Sequence, residues 1–280
     1  AAEFESAVAL LEAAGVDSLW LPETVFGPAV DPFTGMTFAL AKTTRLKVGT
    51  GISVLPGRHP VLVAKQLASL AGLAPGRVLP VFGLQPAVPG ERALFPVPPG
   101  QRAAVFDEAL ALLRLMLTTD VVSFHGSFFT VQDASVGPLP AKPLDIWLAG
   151  SAPGGLRRVG RLGDGWLGSL LTPAEAVDAV AVIKAAADEA GREVDPDHYG
   201  ISLAVAFGGL PDALAASIRR RRPDADPATL VADGWAGARE LIESFTAAGL
   251  SKFVIRPATA PESLADFVAG FSSELMPLQT

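Results

Sequence analysis

Leu46–Pro60 reads LKVGTGISVLPGRHP, and the interpretation of this stretch decides the fold. It opens as a buried strand, but Gly49, Thr50 and Gly51 interrupt the apolar run where the strand should finish, and the helical PVLVAKQLASLAGL follows from Pro60. Glycine at the carboxyl end of a strand permits backbone angles closed to other residues and lets a flat ligand approach the main chain. It can equally relieve crowding against a neighbouring strand, and from these residues alone both readings stand. Thr50 and Ser53 could add hydroxyls at the same place.

The same rhythm of short apolar run, turn and longer helical run extends in both directions. DSLWLP (17–22) precedes a helical PFTGMTFALAKTT, and RVLPVFGL (77–84) leads through a Pro-rich loop to RAAVFDEALALLRLML. DIWLAG (145–150), GWLGSL (165–170), YGISLAVAFG (199–208) and KFVIRP (252–257) each precede a further helical stretch, the one after YGISLAVAFG being in two parts. Nearly all-apolar strands alternating with helices predict a parallel sheet covered on its faces. The strands number seven, and the chain opens directly in a helix, AAEFESAVALLEAAG; a first strand is therefore expected upstream of this numbering. Eight such units make a (β/α)8 TIM barrel, in which the loops after the strands carry the chemistry. An open doubly wound sheet would show a glycine fingerprint after its first strand, and no G-x-G-x-x-G follows any strand here.

Composition narrows the class. Half of the 280 residues are hydrophobic, 18% are charged and the formal net charge is -7, which fits a globular chain and argues against nucleic acid as a partner. The run Arg219–Arg222 reads as the solvated end of a helix. No apolar run is long enough to span a bilayer. With 0 cysteines and 3 histidines far apart, neither a disulfide framework nor metal-ligand spacing is present, and a cytoplasmic location is expected. His59 before Pro60 and His125 in the hairpin-like VVSFHGSFFTV (121–131) read as structural, and His198 as exposed. One domain over residues 1–280 is expected, with a loop insertion at 85–101 placed to act as a substrate lid.

Other strand ends are also rich in small residues: Gly83, then Gly150 with Ser151, then Gly168 with Ser169. The Gly-Ser before the helix near Pro153 suggests an anion site, because free N–H groups at a helix start and a hydroxyl would converge there; an ordinary N-cap is the alternative.

The blocks VDSLWLPE, LKVGTGISVLPGRHPVLVAKQLASL, PGRVLPVFG, FHGSFFTV and PLDIWLAGSAPGGLRRVGRLGDGWL resemble the luciferase-like monooxygenase superfamily, and within it the F420-dependent oxidoreductases of actinobacteria. The resemblance runs in order from about Val16 to about Phe267. It implies a (β/α)8 barrel that binds the deazaflavin F420, or alternatively FMN, at the carboxyl ends of the strands. It further implies a non-prolyl cis peptide at Gly51–Ile52 or Ile52–Ser53 against the ring, and a phosphate-holding turn at Gly150, Ser151 and Ala152. Arg256, after the last strand, is the candidate for an anionic tail; Lys252 lies at the wrong end of that strand.

The departures from the family matter as much. Where sugar-phosphate dehydrogenases of this kind carry a histidine base, the chain has Thr24, leaving Glu23 as either a proton carrier or a structural acceptor. A lysine expected after the sixth strand is replaced by Leu170, Leu171 and Thr172, and Phe82-Gly83 stands where Gly-x-Gly is usual. The expected function is hydride transfer between F420 and a small organic substrate by a homodimer. The alternatives are an FMN-dependent monooxygenase and a non-catalytic flavin- or deazaflavin-binding barrel.

Overall fold

A computed structural model of the chain describes residues 2–279. In chain order its elements are α1 (Ala2–Ala13), β1 (Ser18–Leu21), α2 (Pro32–Lys42), β2 (Lys47–Thr50), β3 (Ser53–Val54), α3 (Pro60–Leu73), β4 (Val78–Leu79) and β5 (Val81–Gly83). Then follow α4 (Arg102–Thr118), β6 (Val122–His125), β7 (Thr130–Ala134), β8 (Trp147–Ala149), α5 (Pro153–Leu162), β9 (Gly165–Ser169) and α6 (Pro173–Glu189). The chain continues with β10 (Tyr199–Ala206), α7 (Asp212–Arg221), β11 (Val231–Asp233), α8 (Gly234–Ala247), β12 (Lys252–Pro257) and α9 (Leu264–Glu274).

The expected alternation is present, with four differences. LKVGTGISV is not one strand but β2 and β3, and the Gly51–Ile52 peptide between them is cis. RVLPVFGL divides at Pro80, which has no N–H for the ladder, into β4 and β5. The two-part helical stretch contains β11, a strand of three residues and so too short to show alternation; it pairs with the end of β10, Ala204 opposite Val231 and Ala206 opposite Asp233. The hairpin extends to Ala134.

Two compact units divide the chain, Asp17–Ala149 and Ala1–Val16 with Gly150–Thr280. In the first, β1, β2 and β4 form one parallel set, with Trp20 opposite Gly49 and Leu21 opposite Thr50. Strands β3, β5 and β8 form another, with Ser53 opposite Phe82 and Val81 opposite Trp147. Helix α2 starts on Asp31, which accepts the Thr34 N–H at 2.9 Å, and its last carbonyls are gathered by Arg77, whose guanidinium donates to Leu40, Thr43 and Leu46. Helix α3 starts on His59, whose Nδ1 accepts the Val61 N–H, so this histidine is a cap. The apolar faces of α3 and α4 meet through side chains such as Leu67, Phe106, Leu110 and Leu113, all buried. On α4, the Glu108 carboxylate accepts the N–H groups of Ser127, Phe128 and Phe129, fixing the β6–β7 turn to the helix.

In the second unit β10 is central, flanked by β9 (Ser202 opposite Ser169) and β12 (Ala204 opposite Arg256). Helices α5 and α6 pack closely because Gly160 has no side chain: a Cβ there would lie 2.3 Å from the Ile183 carbonyl oxygen. Helix α6 begins with a capping box, Thr172 and Glu175 each accepting the other's backbone N–H. Of the arginine run, Arg219, Arg220 and Arg221 are exposed at the end of α7, as the sequence predicts, whereas Arg222 turns inward to Glu175, Asp224 and the Leu170 carbonyl. His198 is half-buried rather than exposed, its Nδ1 lying 2.8 Å from the Asp164 carbonyl oxygen.

Candidate functional site

The residues singled out from the sequence lie at strand ends in both units. In the first unit, the two glycines around Thr50 do different jobs. A Cβ on Gly49 would stand 2.7 Å from the Leu79 carbonyl oxygen and 2.8 Å from the Trp20 ring, so this glycine relieves crowding. Gly51 is exposed, and its added Cβ would meet nothing nearer than the Trp20 Cβ at 3.4 Å. Between them Thr50 is fully buried, and its Oγ1 donates to the Val81 carbonyl at 2.7 Å while accepting the Val81 N–H at 2.8 Å. That hydroxyl joins β2 to β5 and does not face a ligand.

Ile52 is half-buried and points at Gly83, where a Cβ would come within 2.2 Å of the Ile52 Cδ1. Gly83 therefore makes room for Ile52, and through it for the bent strand end. Ser53 is fully buried, and its Oγ has no hydrogen-bond partner. Buried hydroxyls are almost always satisfied, which sets this one apart at the strand end.

Glu23, just beyond β1, is 6% exposed. Its Oε2 accepts the Val54 N–H at 2.7 Å, its Oε1 accepts from the Arg58 guanidinium, and its own N–H donates to the Ile52 carbonyl at 3.2 Å. Burial pushes the carboxyl above its ordinary range; the Val54 amide and Arg58 pull it back in part, and the charge of Asp31 adds to the rise. With both oxygens engaged, Glu23 has the geometry of a structural acceptor holding β3 in place, and no free oxygen to move a proton.

The loop 85–101 is rooted, not free. Phe95 is buried against Gly57, whose φ of +93° and missing Cβ admit it, with the Arg58 guanidinium 5.4 Å from its ring. Arg102 donates to the Phe95 carbonyl at 2.8 Å. Glu91, in the same loop and fully buried, accepts the Phe26 N–H at 2.8 Å. Arg58, Phe95 and Glu91 were not among the residues expected from the sequence: each acts on a partner dozens of residues away, and no local pattern marks such pairs.

In the second unit, Gly150, Ser151 and Ala152 are exposed, with Gly150 at a φ of +132° and open space where its Cβ would be. Ala152 is the N-cap of α5, and its carbonyl takes the Gly155 and Leu156 N–H groups. Among the described residues no hydrogen bond engages the N–H of Ser151, Ala152 or Gly154. The Gly150 carbonyl accepts from the buried Trp166 indole at 2.8 Å, which fixes the turn from below. Trp166 is thus core, and Gly168 serves it: a Cβ there would stand 2.9 Å from the indole. Ser169 is exposed at the end of β9.

Arg256 is solvent-accessible and has no ion pair among the described residues, whereas Lys252 is tied to Asp197. The surrounding protein atoms, and then the like charge of Arg221, lower the Arg256 pKa, but the guanidinium keeps its contact with water and its charge at neutral pH. Among the described residues no cluster of three or more His, Asp or Glu could hold a metal ion, and no helix is long and apolar enough to cross a membrane. A groove of about 350 Å³ between α2 and α3, lined by residues such as Thr34, Lys65, Gln66 and Leu73, includes none of the predicted site residues.

Comparison with known proteins places the chain in a family. The family described as luciferase-like monooxygenase matches residues 1–254. A protein of Mycobacterium tuberculosis (strain ATCC 25618 / H37Rv), named only as uncharacterized, is 36% identical over 177 residues, 63% of this chain and 60% of that protein. An F420-dependent glucose-6-phosphate dehydrogenase of Beutenbergia cavernae is 31% identical over 214 residues, 68% of this chain and 63% of the dehydrogenase. The chain thus spans about 60% of the length of the curated relatives it matches. Among solved structures, an F420-dependent secondary alcohol dehydrogenase in complex with an F420-acetone adduct aligns with a TM-score of 0.84 at 19% identity, covering 99% of this chain and 94% of that one. At that identity the likeness concerns the fold, and together with the parallel strands and alternating helices it bears out the (β/α)8 class. The chain belongs to the luciferase-like monooxygenase family.

Proposed function

We propose that the chain is an oxidoreductase that binds the deazaflavin F420 and serves hydride transfer between F420 and a small organic substrate. The observation that carries this reading is the exposed, unobstructed main chain of Gly51 beside the buried, partnerless Ser53 hydroxyl. A flat ring system fits there, because nothing larger than a hydrogen projects from Gly51. The reading is supported by relatives named as F420-dependent, among them the Beutenbergia cavernae dehydrogenase.

When bound, F420 supplies a ring carbon, in place of the flavin N5 nitrogen, that gives or takes a hydride in a two-electron step. The chain's own residues orient and support. The Gly51–Ile52 main chain would back the ring, with Glu23 and Arg58 fixing the strand end behind it. The bare N–H groups of Ser151 and Ala152 at the start of α5, with the Ser151 hydroxyl, would receive phosphate oxygens. Arg256 would face an anionic tail, and Ser169 is available for a polar contact. Thr50, Gly83 and Gly168 contribute the frame.

With Thr24 in the position expected of a histidine and both Glu23 oxygens engaged, the chain offers no base there for oxidising an alcohol, which favours substrates accepting or losing hydride without that base. A second reading, FMN binding with monooxygenation, is supported by the family description. Homodimerisation through α2 and α3 belongs to the proposal as well, and the exposed Leu62 and Leu73 of α3 favour it. Parallel calorimetric titrations with F420 and FMN test the proposal. Tighter binding of F420 supports it, preference for FMN promotes the second reading, and binding of neither overturns both.

A further inference from the structure

We infer that Glu91 is a positioning residue that holds the 22–31 loop, and with it an apolar rim selecting uncharged, largely apolar substrates. The substrate class rests on the oxidoreductase reading above; the positioning role does not.

Four observations lead here. Glu91 lies in the 85–101 loop after β5, is fully buried, and accepts the N–H of Phe26, 65 positions earlier in the loop after β1. Its second oxygen, Oε2, is buried without a donor. A buried carboxylate with one oxygen unmatched is not what folding alone favours, since an apolar side chain would fill the volume without desolvating a charge. What the side-chain oxygen secures is the Phe26 amide, which no other described group engages.

Third, the two loops joined by this bond carry an unusual share of exposed apolar side chains. Of the eleven large hydrophobic residues exposed among the described residues, five are here: Val25, Phe26 and Val30 on one loop, Val88 and Leu94 on the other. Phe26 is 68% exposed although its backbone is pinned. The only charged residues exposed on either loop are Asp31, the cap of α2, and Arg92.

Fourth, the pinned loop is continuous with the proposed ring-side residues. Glu23 is three residues before Phe26 and bonds Ile52, Val54 and Arg58, while Arg58 stacks on Phe95 of the Glu91 loop. The loops after β1, β3 and β5 are therefore joined in a closed circuit, and Glu91 closes it. A substrate reaching Gly51 on this side meets an apolar rim whose pose Glu91 sets.

The test uses the whole chain. Hydrogen exchange is followed at the Phe26 amide in wild type, Glu91→Ala, Glu91→Leu and Glu91→Gln. The leucine variant fills the volume but cannot accept, and carries the test if the alanine variant does not fold. Binding of Nile red, a neutral apolar dye, is titrated in the same set and in Phe26→Ser. Expected are exchange at Phe26 faster by about 10-fold in the alanine and leucine variants, dye binding about 5-fold weaker in those variants and in Phe26→Ser, and values close to wild type in Glu91→Gln, whose amide oxygen still accepts. Unchanged Phe26 exchange, or dye binding that falls in Phe26→Ser alone, would overturn the inference. Titration of wild type with F420 and FMN runs in parallel: failure there sinks the cofactor reading while the exchange and dye results still decide the role of Glu91.

Discussion

Glu23 and Arg58, 35 positions apart, form an ion pair in which the carboxylate is almost wholly buried and the guanidinium is partly open to water. The asymmetry sets the sign of its pH dependence. Desolvation weighs more on Glu23 than Arg58 and the Val54 amide relieve, so the folded-state pKa is raised. A group raised on folding contributes stability that is fully present below its unfolded pKa, near 4.5, and is lost as pH rises through the folded value. Wild type and Glu23→Gln, compared by urea unfolding at pH 4 and pH 7, should therefore differ more in favour of wild type at pH 4. An advantage for wild type that grows toward pH 7 would mean that the pairing with Arg58 outweighs burial.

The glycines flanking Thr50 should respond oppositely to alanine. Gly49→Ala forces a methyl into the Leu79 carbonyl and the Trp20 ring, and should lose about 1–3 kcal/mol. Gly51→Ala meets the Trp20 Cβ at an ordinary 3.4 Å, so thermal unfolding should change little while F420 affinity falls by about 10-fold as the methyl lifts the ring.

Thr50 tests the frame. Its hydroxyl donates to and accepts from Val81 in a fully buried position, so Thr50→Val should cost about 1–3 kcal/mol in chemical denaturation and Thr50→Ser well under that. Equal losses would mean that packing of the methyl group contributes as much as the hydroxyl.

The turn before α5 offers a test of the anion site. Ala152 has a φ of -69°, already that of proline, so Ala152→Pro deletes one free N–H and leaves the helix start intact. F420 affinity should drop by about 10-fold at unchanged melting temperature. Unaltered affinity would remove this turn from the phosphate site.

Much of the architecture was legible because Gly, Pro and charge punctuate apolar runs. His59-Pro60 marked the start of α3, and the structure begins the helix at Pro60. The strand β11 was not legible, since three residues cannot show a period and its existence depends on pairing with β10. The site was readable as a set of small residues at strand ends but not in the roles within it. Gly49 and Gly51 look alike in sequence, and only the register that sets Trp20 opposite Gly49 makes one a packing residue and leaves the other open. Thr50 and Gly168 likewise belong to the frame for reasons that lie in their neighbours, Val81 and Trp166. Glu23 was identified as a candidate, but its partner Arg58 lies in a different loop, and without that partner its alternative roles could not be told apart.

The most direct measurement is a crystal structure of the chain with F420 bound. The account predicts the deazaflavin ring against the main chain of Gly51 and Ile52. A ring lying elsewhere, with Gly51 left open to solvent, would contradict it.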